Sequence, residues 1–261
     1  VSAELAHGKI HMEDPVTISE NAWRSGGAGT DGSTSFLELN SQVPLGDLLK
    51  GMIIQSGNDA SIAIAEHVAG SESTFAALMN QYADKIGLKN SHFVNAHGLF
   101  DPEHYMSAHD IAELSRALIR DFPEEYAHYA LKDYTWNAHT QRNRNILLWR
   151  DPSVDGIKTG HLSQAGYCLA ASAKRGDTRL IAVVMNTAGE KVRADEAHAL
   201  LNYGFRFFET HKVYEAMASV SEVTLWHGDA AKAKLGVAQP ALVTLPRGSY
   251  QRLAATMNVQ K

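Results

Sequence analysis

Gly166-Tyr167-Cys168-Leu169-Ala170-Ala171-Ser172-Ala173-Lys174 and Thr178-Arg179-Leu180-Ile181-Ala182-Val183-Val184-Met185-Asn186 flank the tripeptide Arg175-Gly176-Asp177. Both runs are rich in small, β-branched and apolar side chains, and the residues between them carry turn chemistry, so the stretch reads as a β-hairpin. The period on either side is different. Upstream, Leu45, Leu48, Leu49, Met52 and Ile53 recur at helical spacing, as do Phe75, Leu78, Met79, Tyr82 and Ile86. Ile111, Leu114 and Leu118 follow Ser107 and Asp110, the signature of a capped amphipathic helix. Downstream, Leu200, Leu201, Phe207 and Phe208 predict a helix over residues 191–209, with Gly204 inside it. A hairpin set among helices implies an α+β domain, with helices packed on an antiparallel sheet.

The remaining punctuation agrees with this reading. Val16 to Ile18 is a short candidate strand, and residues 25–35, rich in Gly, Ser and Thr, read as a loop. The helix holding Leu45 to Ile53 is broken at Gln55-Ser56-Gly57-Asn58, and a second helix, 59–68, starts at once. Gly87 is a C-terminal stop, and Pro123 limits the Ser107 helix. After Thr210 the character changes to short strands, 220–226, 241–245 and 253–259, separated by glycine- and proline-bearing turns. The expected division is therefore 1–209 for the main domain and 210–261 for a smaller all-β domain that reads as truncated.

Composition narrows the function without assigning it. With 44% hydrophobic and 20% charged residues, the 261-residue chain has ordinary globular usage. Its net charge of -5, without runs of Lys or Arg, argues against a nucleic-acid partner. No stretch approaches the ~20 apolar residues of a membrane span. The single cysteine, Cys168, cannot form an internal disulfide, and its small apolar neighbours suggest a buried, inert thiol. No zincin-type His pair and no phosphate-binding glycine loop occurs, so neither metal nor cofactor is expected. Val1 to Gly8 lacks the basic and apolar regions of a signal peptide and reads as the tail of a helix.

Two short motifs stand out, Ser56-Gly57-Asn58 and Lys158-Thr159-Gly160. Each is weak alone. Ser56 could be a helix-cap hydroxyl, Asn58 a turn asparagine, Thr159 a strand threonine and Gly160 a bulge. Their context raises the stakes, because one lies at a helix-to-helix turn and the other immediately precedes the hairpin. Together they match two parts of the set used by penicillin-binding proteins and class A β-lactamases.

The runs Gln55-Ser56-Gly57-Asn58-Asp59-Ala60, Gly87-Leu88-Lys89-Asn90, His97-Gly98-Leu99, Asn143-Arg144-Asn145, Val154-Asp155-Gly156-Ile157-Lys158-Thr159-Gly160-His161 and Gly204-Phe205-Arg206-Phe207-Phe208-Glu209 extend the likeness along the whole chain. The sequence resembles the low-molecular-mass penicillin-binding proteins, in particular serine D-alanyl-D-alanine carboxypeptidases of the penicillin-binding protein 5 type. The resemblance implies a β-lactamase/transpeptidase-like fold and removal of the terminal D-alanine from peptidoglycan stem pentapeptides through an acyl-enzyme that β-lactams mimic. It implies catalytic roles for Ser56, Asn58 and Lys158. It also implies substrate contacts from Gly57, Thr159, Gly160, the main chain of His161, and the two arginines Arg144 and Arg193, which suit a C-terminal carboxylate. His97 is expected to be structural. The location implied is the periplasm, on the outer face of the cytoplasmic membrane, with peripheral attachment through a helix beyond the β module.

One departure is serious. No Ser-x-x-Lys occurs in these residues. The resemblance places that motif roughly ten residues before Val1, where it would supply the acylated serine and its lysine. Two other readings therefore stay open. A β-lactamase would share the constellation, although no matching Glu-x-x-x-Asn segment for deacylation occurs. A non-catalytic peptidoglycan-binding relative would lack the nucleophile altogether.

Overall fold

The structure is a computed structural model that describes residues 1–27, 30, 32–226 and 230–254. It divides into two compact units, Val1–Ala173 with Ile181–Ala199, and Lys174–Leu180 with Leu200–Lys261.

The first unit is built on an antiparallel sheet of three strands in the order β7-β8-β9. Before it in the chain come α1 (Ser2–Ala6), β1 (Pro15–Thr17), α2 (Glu20–Gly26), β2 (Gln42–Pro44), α3 (Leu45–Lys50), α4 (Asn58–Ala69), α5 (Glu72–Ile86), β3 (Ser91–His92), β4 (Tyr105–Met106), α6 (Ala108–Asp121), α7 (Pro123–Tyr126), β5 (Asp133–Trp136), β6 (His139–Arg142) and α8 (Leu147–Arg150). The sheet follows as β7 (Val154–Leu162), β8 (Gly166–Arg175) and β9 (Thr178–Thr187), with α9 (Glu190–Phe207) after it. The hairpin read from the sequence is β8-β9. The strand carrying the Lys-Thr-Gly motif, β7, pairs with β8.

The apolar periods become burial. Ile18, Leu45, Leu48, Ile62 and Ile64 are at most 1% exposed and share one core where α2, α3 and α4 meet β1 and β2. Each such side chain contributes about 1.5–3 kcal/mol on leaving water. A second cluster joins Ile157 and Ala170 on the sheet to Tyr126, with Ile111 and Leu118 of α6 against it. This is the helix-on-sheet layer expected. Ser107 caps α6 by accepting from the Asp110 backbone N–H at 3.1 Å, but the reciprocal half of a capping box is absent. Asp110 instead accepts from the Asn90 N–H at 2.7 Å and the Ser91 hydroxyl at 2.8 Å, tying α6 to β3.

The loop between β6 and α8 holds Asn143-Arg144-Asn145. Asn143 Nδ2 donates to the Leu131 carbonyl at 2.9 Å, and its Oδ1 accepts the Asn145 N–H at 2.9 Å. Asn145, 1% exposed, donates from Nδ2 to the Gly156 carbonyl of β7 at 3.0 Å and accepts the Leu147 N–H at 3.2 Å. The two asparagines thus replace backbone pairing that an irregular buried segment could not otherwise find.

In the second unit β10 (Phe208–Tyr214) pairs with β13 (Ala241–Pro246), and β11 (Ser219–Thr224) with β12 (Lys232–Gly236). Arg247 explains part of the Gly204 to Glu209 run. Its Nη2 donates to the Phe205 carbonyl at 2.9 Å, its Nε to the Arg206 carbonyl at 3.2 Å and its backbone N–H to the Phe207 carbonyl at 2.8 Å. These are carbonyls at the C-terminal end of α9, which a helix end leaves open. A Cβ on Gly204 would lie 2.5 Å from Leu180 Cδ1, so any larger residue there would have to turn the Leu180 side chain aside.

One expectation needs correction, one falls mostly outside the described residues, and two elements were not foreseen. The helix predicted over 191–209 ends at Phe207, and Phe208 and Glu209 open β10, where strand pairing with Pro246 and Leu245 wins. The strand predicted over 253–259 is preceded by a 3-10 turn, Tyr250–Arg252, and residues 255–259 lie outside the described residues. The β5-β6 hairpin, closed by Asn137 and Ala138 at positive φ, and the strand β12 had no counterpart in the reading.

Replacing Asn145 with Ala leaves the Gly156 carbonyl and the Leu147 N–H without their buried partner. The expected loss is about 1–3 kcal/mol of unfolding free energy in urea titration. A loss below about 0.5 kcal/mol, the usual size for a surface change, would contradict the bridging role.

Candidate active site

The turn bearing Ser56 is shaped by close approach. Past α3 the helix widens into one π-helical turn, Gly51–Gln55, a distortion common at functional sites. It ends at Ser56, which sits in the left-handed region at φ 61°, ψ 39°. A non-glycine residue there is strained by about 1–2 kcal/mol, so the surroundings must hold it. They do. Asp59, 1% exposed in the first turn of α4, accepts from the Ser35 N–H at 2.8 Å, the Leu37 N–H at 3.3 Å and the Thr34 hydroxyl at 2.8 Å. This draws the 34–37 segment behind the turn so tightly that a Cβ on Gly57 would fall 2.0 Å from Ser35 Oγ. Gly57 is therefore a spacing requirement. Asn58, 6% exposed, starts α4, and its N–H donates to the Ser33 carbonyl at 2.8 Å.

Across from this turn runs β7. Lys158 Nζ donates a hydrogen bond to Ser56 Oγ and a second to the Thr159 carbonyl at 3.1 Å. Burial pushes the Lys158 ammonium down from 10.5 to about 7, and the nearby charges of Arg144 and Arg193 push in the same direction. An amine in that range can both take and give a proton near neutral pH.

Thr159 is 8% exposed, whereas Gly160 and His161 are exposed at the rim. Arg193 falls inside the helix predicted over 191–209. It lies in the first turn of α9, 3% exposed, with Nη1 donating to the Gly160 carbonyl at 3.0 Å. Burial holds its pKa below the usual arginine value. Arg144 is half-buried between the two pinned asparagines. Ser56, Lys158, Thr159 and Gly160 line one cavity of about 430 Å³, with an apolar wall that includes Met52, Ile111 and Leu118.

The same cavity has neighbours that the reading set aside. His97 lines it, with Nε2 3.3 Å from Glu72 Oε1 and Nδ1 accepting the Leu99 N–H at 3.1 Å. Burial lowers its pKa against the opposing pull of Glu72. Cys168 is half-buried and also lines the cavity, its thiol turned to the Ala165 carbonyl at 3.3 Å. Asp59 and Tyr167 were missed as site-forming residues. Asp59 directly follows the Ser-Gly-Asn motif, so its position could have flagged it, whereas Tyr167 meets His161 only through the register of β7 with β8. Among the described residues no group of three or more His, Cys, Asp and Glu side chains could hold a metal ion. Among them, too, no helix is long and apolar enough to cross a membrane.

The family model for D-alanyl-D-alanine carboxypeptidase (peptidase S11) matches residues 1–189. The chain belongs to this family. A second model, the C-terminal domain of penicillin-binding protein 5, matches residues 208–261. The chain is 46% identical to D-alanyl-D-alanine carboxypeptidase DacA of Haemophilus influenzae over 98% of its own length and 65% of the relative's. It is 45% identical to DacC of Escherichia coli over 98% of its length and 64% of the relative's. The chain thus spans less than two thirds of these relatives. Among solved structures, penicillin-binding protein 5 from Haemophilus influenzae superposes with a TM-score of 0.87 at 47% identity, covering 96% of this chain and 73% of that one. Penicillin-binding protein 6B from Escherichia coli gives 0.83 at 38% identity, covering 98% and 75%. The fold is that of the penicillin-binding proteins, an α+β peptidase unit followed by an all-β module.

The depressed Lys158 pKa has a consequence for stability. Between about 7 and 10.5 the unfolded chain carries the extra proton, so this group makes stability rise with pH across that window. Lys158→Met should therefore be more stable than the parent below pH 7, with the gap closing toward pH 10.5. Urea titrations at several pH values check this. A gap that does not change with pH contradicts it.

Proposed function

We propose that the cleft belongs to a serine D,D-carboxypeptidase that removes the terminal D-alanine from peptidoglycan stem pentapeptides through an acyl-enzyme, and that β-lactams acylate it as mimics. The observation that carries the reading is the Lys158–Ser56 hydrogen bond in a cavity flanked by Arg144 and Arg193. A hydroxyl bonded to an amine of near-neutral pKa can relay a proton to a departing amine. A buried guanidinium beside it suits a substrate that ends in a free carboxylate.

In this scheme a serine Oγ attacks the carbonyl of the penultimate D-alanine, and its proton passes to an adjacent lysine. Ser56 then delivers a proton to the leaving D-alanine nitrogen, and water hydrolyses the resulting ester. Lys158, as a neighbouring cation, lowers the pKa of that lysine, so that its amine is unprotonated near neutral pH and free to take the proton. Asn58 donates its amide to the substrate carbonyl. Gly57 and Gly160 leave room for the peptide, and Thr159, Arg144 and Arg193 hold its carboxylate. The His161 N–H forms half of the oxyanion hole. The attacking serine and its lysine are not among these 261 residues. We place them, by the family resemblance, on a Ser-x-x-Lys segment lining the same cavity.

The peptidase role is assigned to residues 1–209 and the β-rich module to 210–261, supported by the separate matches over 1–189 and 208–261. The substrate suggests the periplasm, at the outer face of the cytoplasmic membrane, with attachment through a helix outside these residues.

Incubating the intact protein with labelled penicillin should leave a covalent label that survives denaturation. Lys158→Ala should slow labelling by about 10²-fold or more, the usual weight of a proton-transfer group. An unlabelled parent protein sinks the proposal.

A further inference from the structure

We propose that Tyr167 is a positioning residue for recognition of the substrate carboxylate, a role that rests on the carboxypeptidase reading above. The antiparallel register pairs His161 of β7 with Tyr167 of β8. Their rings stack with centroids 4.0 Å apart and planes 27° from parallel. The Arg193 guanidinium carbon lies 5.5 Å from the centroid of the same Tyr167 ring. One aromatic face system therefore orders two nitrogen-bearing side chains, one from the sheet rim and one from α9.

The arrangement is fixed on every side. The Tyr167 carbonyl accepts from the Thr187 hydroxyl at 2.9 Å, which binds the start of β8 to the end of β9. Arg193 Nη1 is committed to the Gly160 carbonyl at 3.0 Å. Among the described residues the carboxylate within 4 Å of this guanidinium is Glu190, at 3.8 Å and with its own side chain 68% exposed. A 4%-exposed arginine side chain so lightly neutralised keeps donors free for an anion. An arginine has many rotamers, and a π face within cation–π reach selects among them. Tyr167 thus orients the remaining donors of Arg193 next to the Gly160 carbonyl, and the same ring holds the His161 imidazole by stacking.

The test uses the intact protein and compares acyl-D-Ala-D-Ala as the free acid with its C-terminal amide. Tyr167→Ala should raise KM for the free acid about tenfold, the scale of a lost partly buried cation–π contact. kcat should stay within about twofold, because the reacting groups are untouched. The amide should respond little, so the preference for the acid shrinks. Tyr167→Leu, which keeps apolar bulk on the strand without a π face, should behave like Tyr167→Ala, and Tyr167→Phe should behave like the parent. An unchanged acid-to-amide ratio in the Ala and Leu variants overturns the Tyr167 role alone, as does an equal loss in the Phe variant. A parent protein that cleaves neither peptide overturns the carboxypeptidase reading and this role with it.

Discussion

The site rests on one contact, the hydrogen bond from Lys158 on β7 to Ser56 on the turn before α4. An ammonium group in a partly dry cavity with two guanidinium groups near it is in an unfavourable place. Desolvation and like charge both favour the neutral amine, and the drop to about 7 is the result. Ser56 accepts one of its protons, so the charge is dispersed rather than left bare. The unit must keep that turn and that strand face to face for this contact to exist.

Much of the surrounding structure is the means of holding them there. Asp59 gathers three donors from the 34–37 segment and presses it behind the Ser-Gly-Asn turn, which keeps a left-handed serine in place. On the other side, Asn145 reaches from the α8 loop to the Gly156 carbonyl, two residues before Lys158. Both devices are buried polar groups with their partners satisfied, the kind that specify a single arrangement. They also explain why runs around the motifs are as distinctive as the motifs themselves.

The Lys-Thr-Gly segment lies on a strand whose other neighbours, Tyr167 and Cys168, come from the next strand in register. Arg193 meets the Gly160 carbonyl of the Lys-Thr-Gly strand from α9.

The hairpin over 166–186, the helices around it and the break at Ser56 were legible in the sequence, because turn residues and apolar periods are local signals. The Ser-Gly-Asn and Lys-Thr-Gly motifs were legible for the same reason. The end of α9 at Phe207 was not, since pairing of Phe208 with Pro246 depends on a distant strand. Nor was the place of Arg193 beside the Gly160 carbonyl, or of Tyr167 against His161 and Arg193. What the sequence by itself determined is which residues can do chemistry. What only the tertiary structure decided is which of them share a low-dielectric cavity, because burial and the approach of like charges depend on distances between segments that no local pattern encodes.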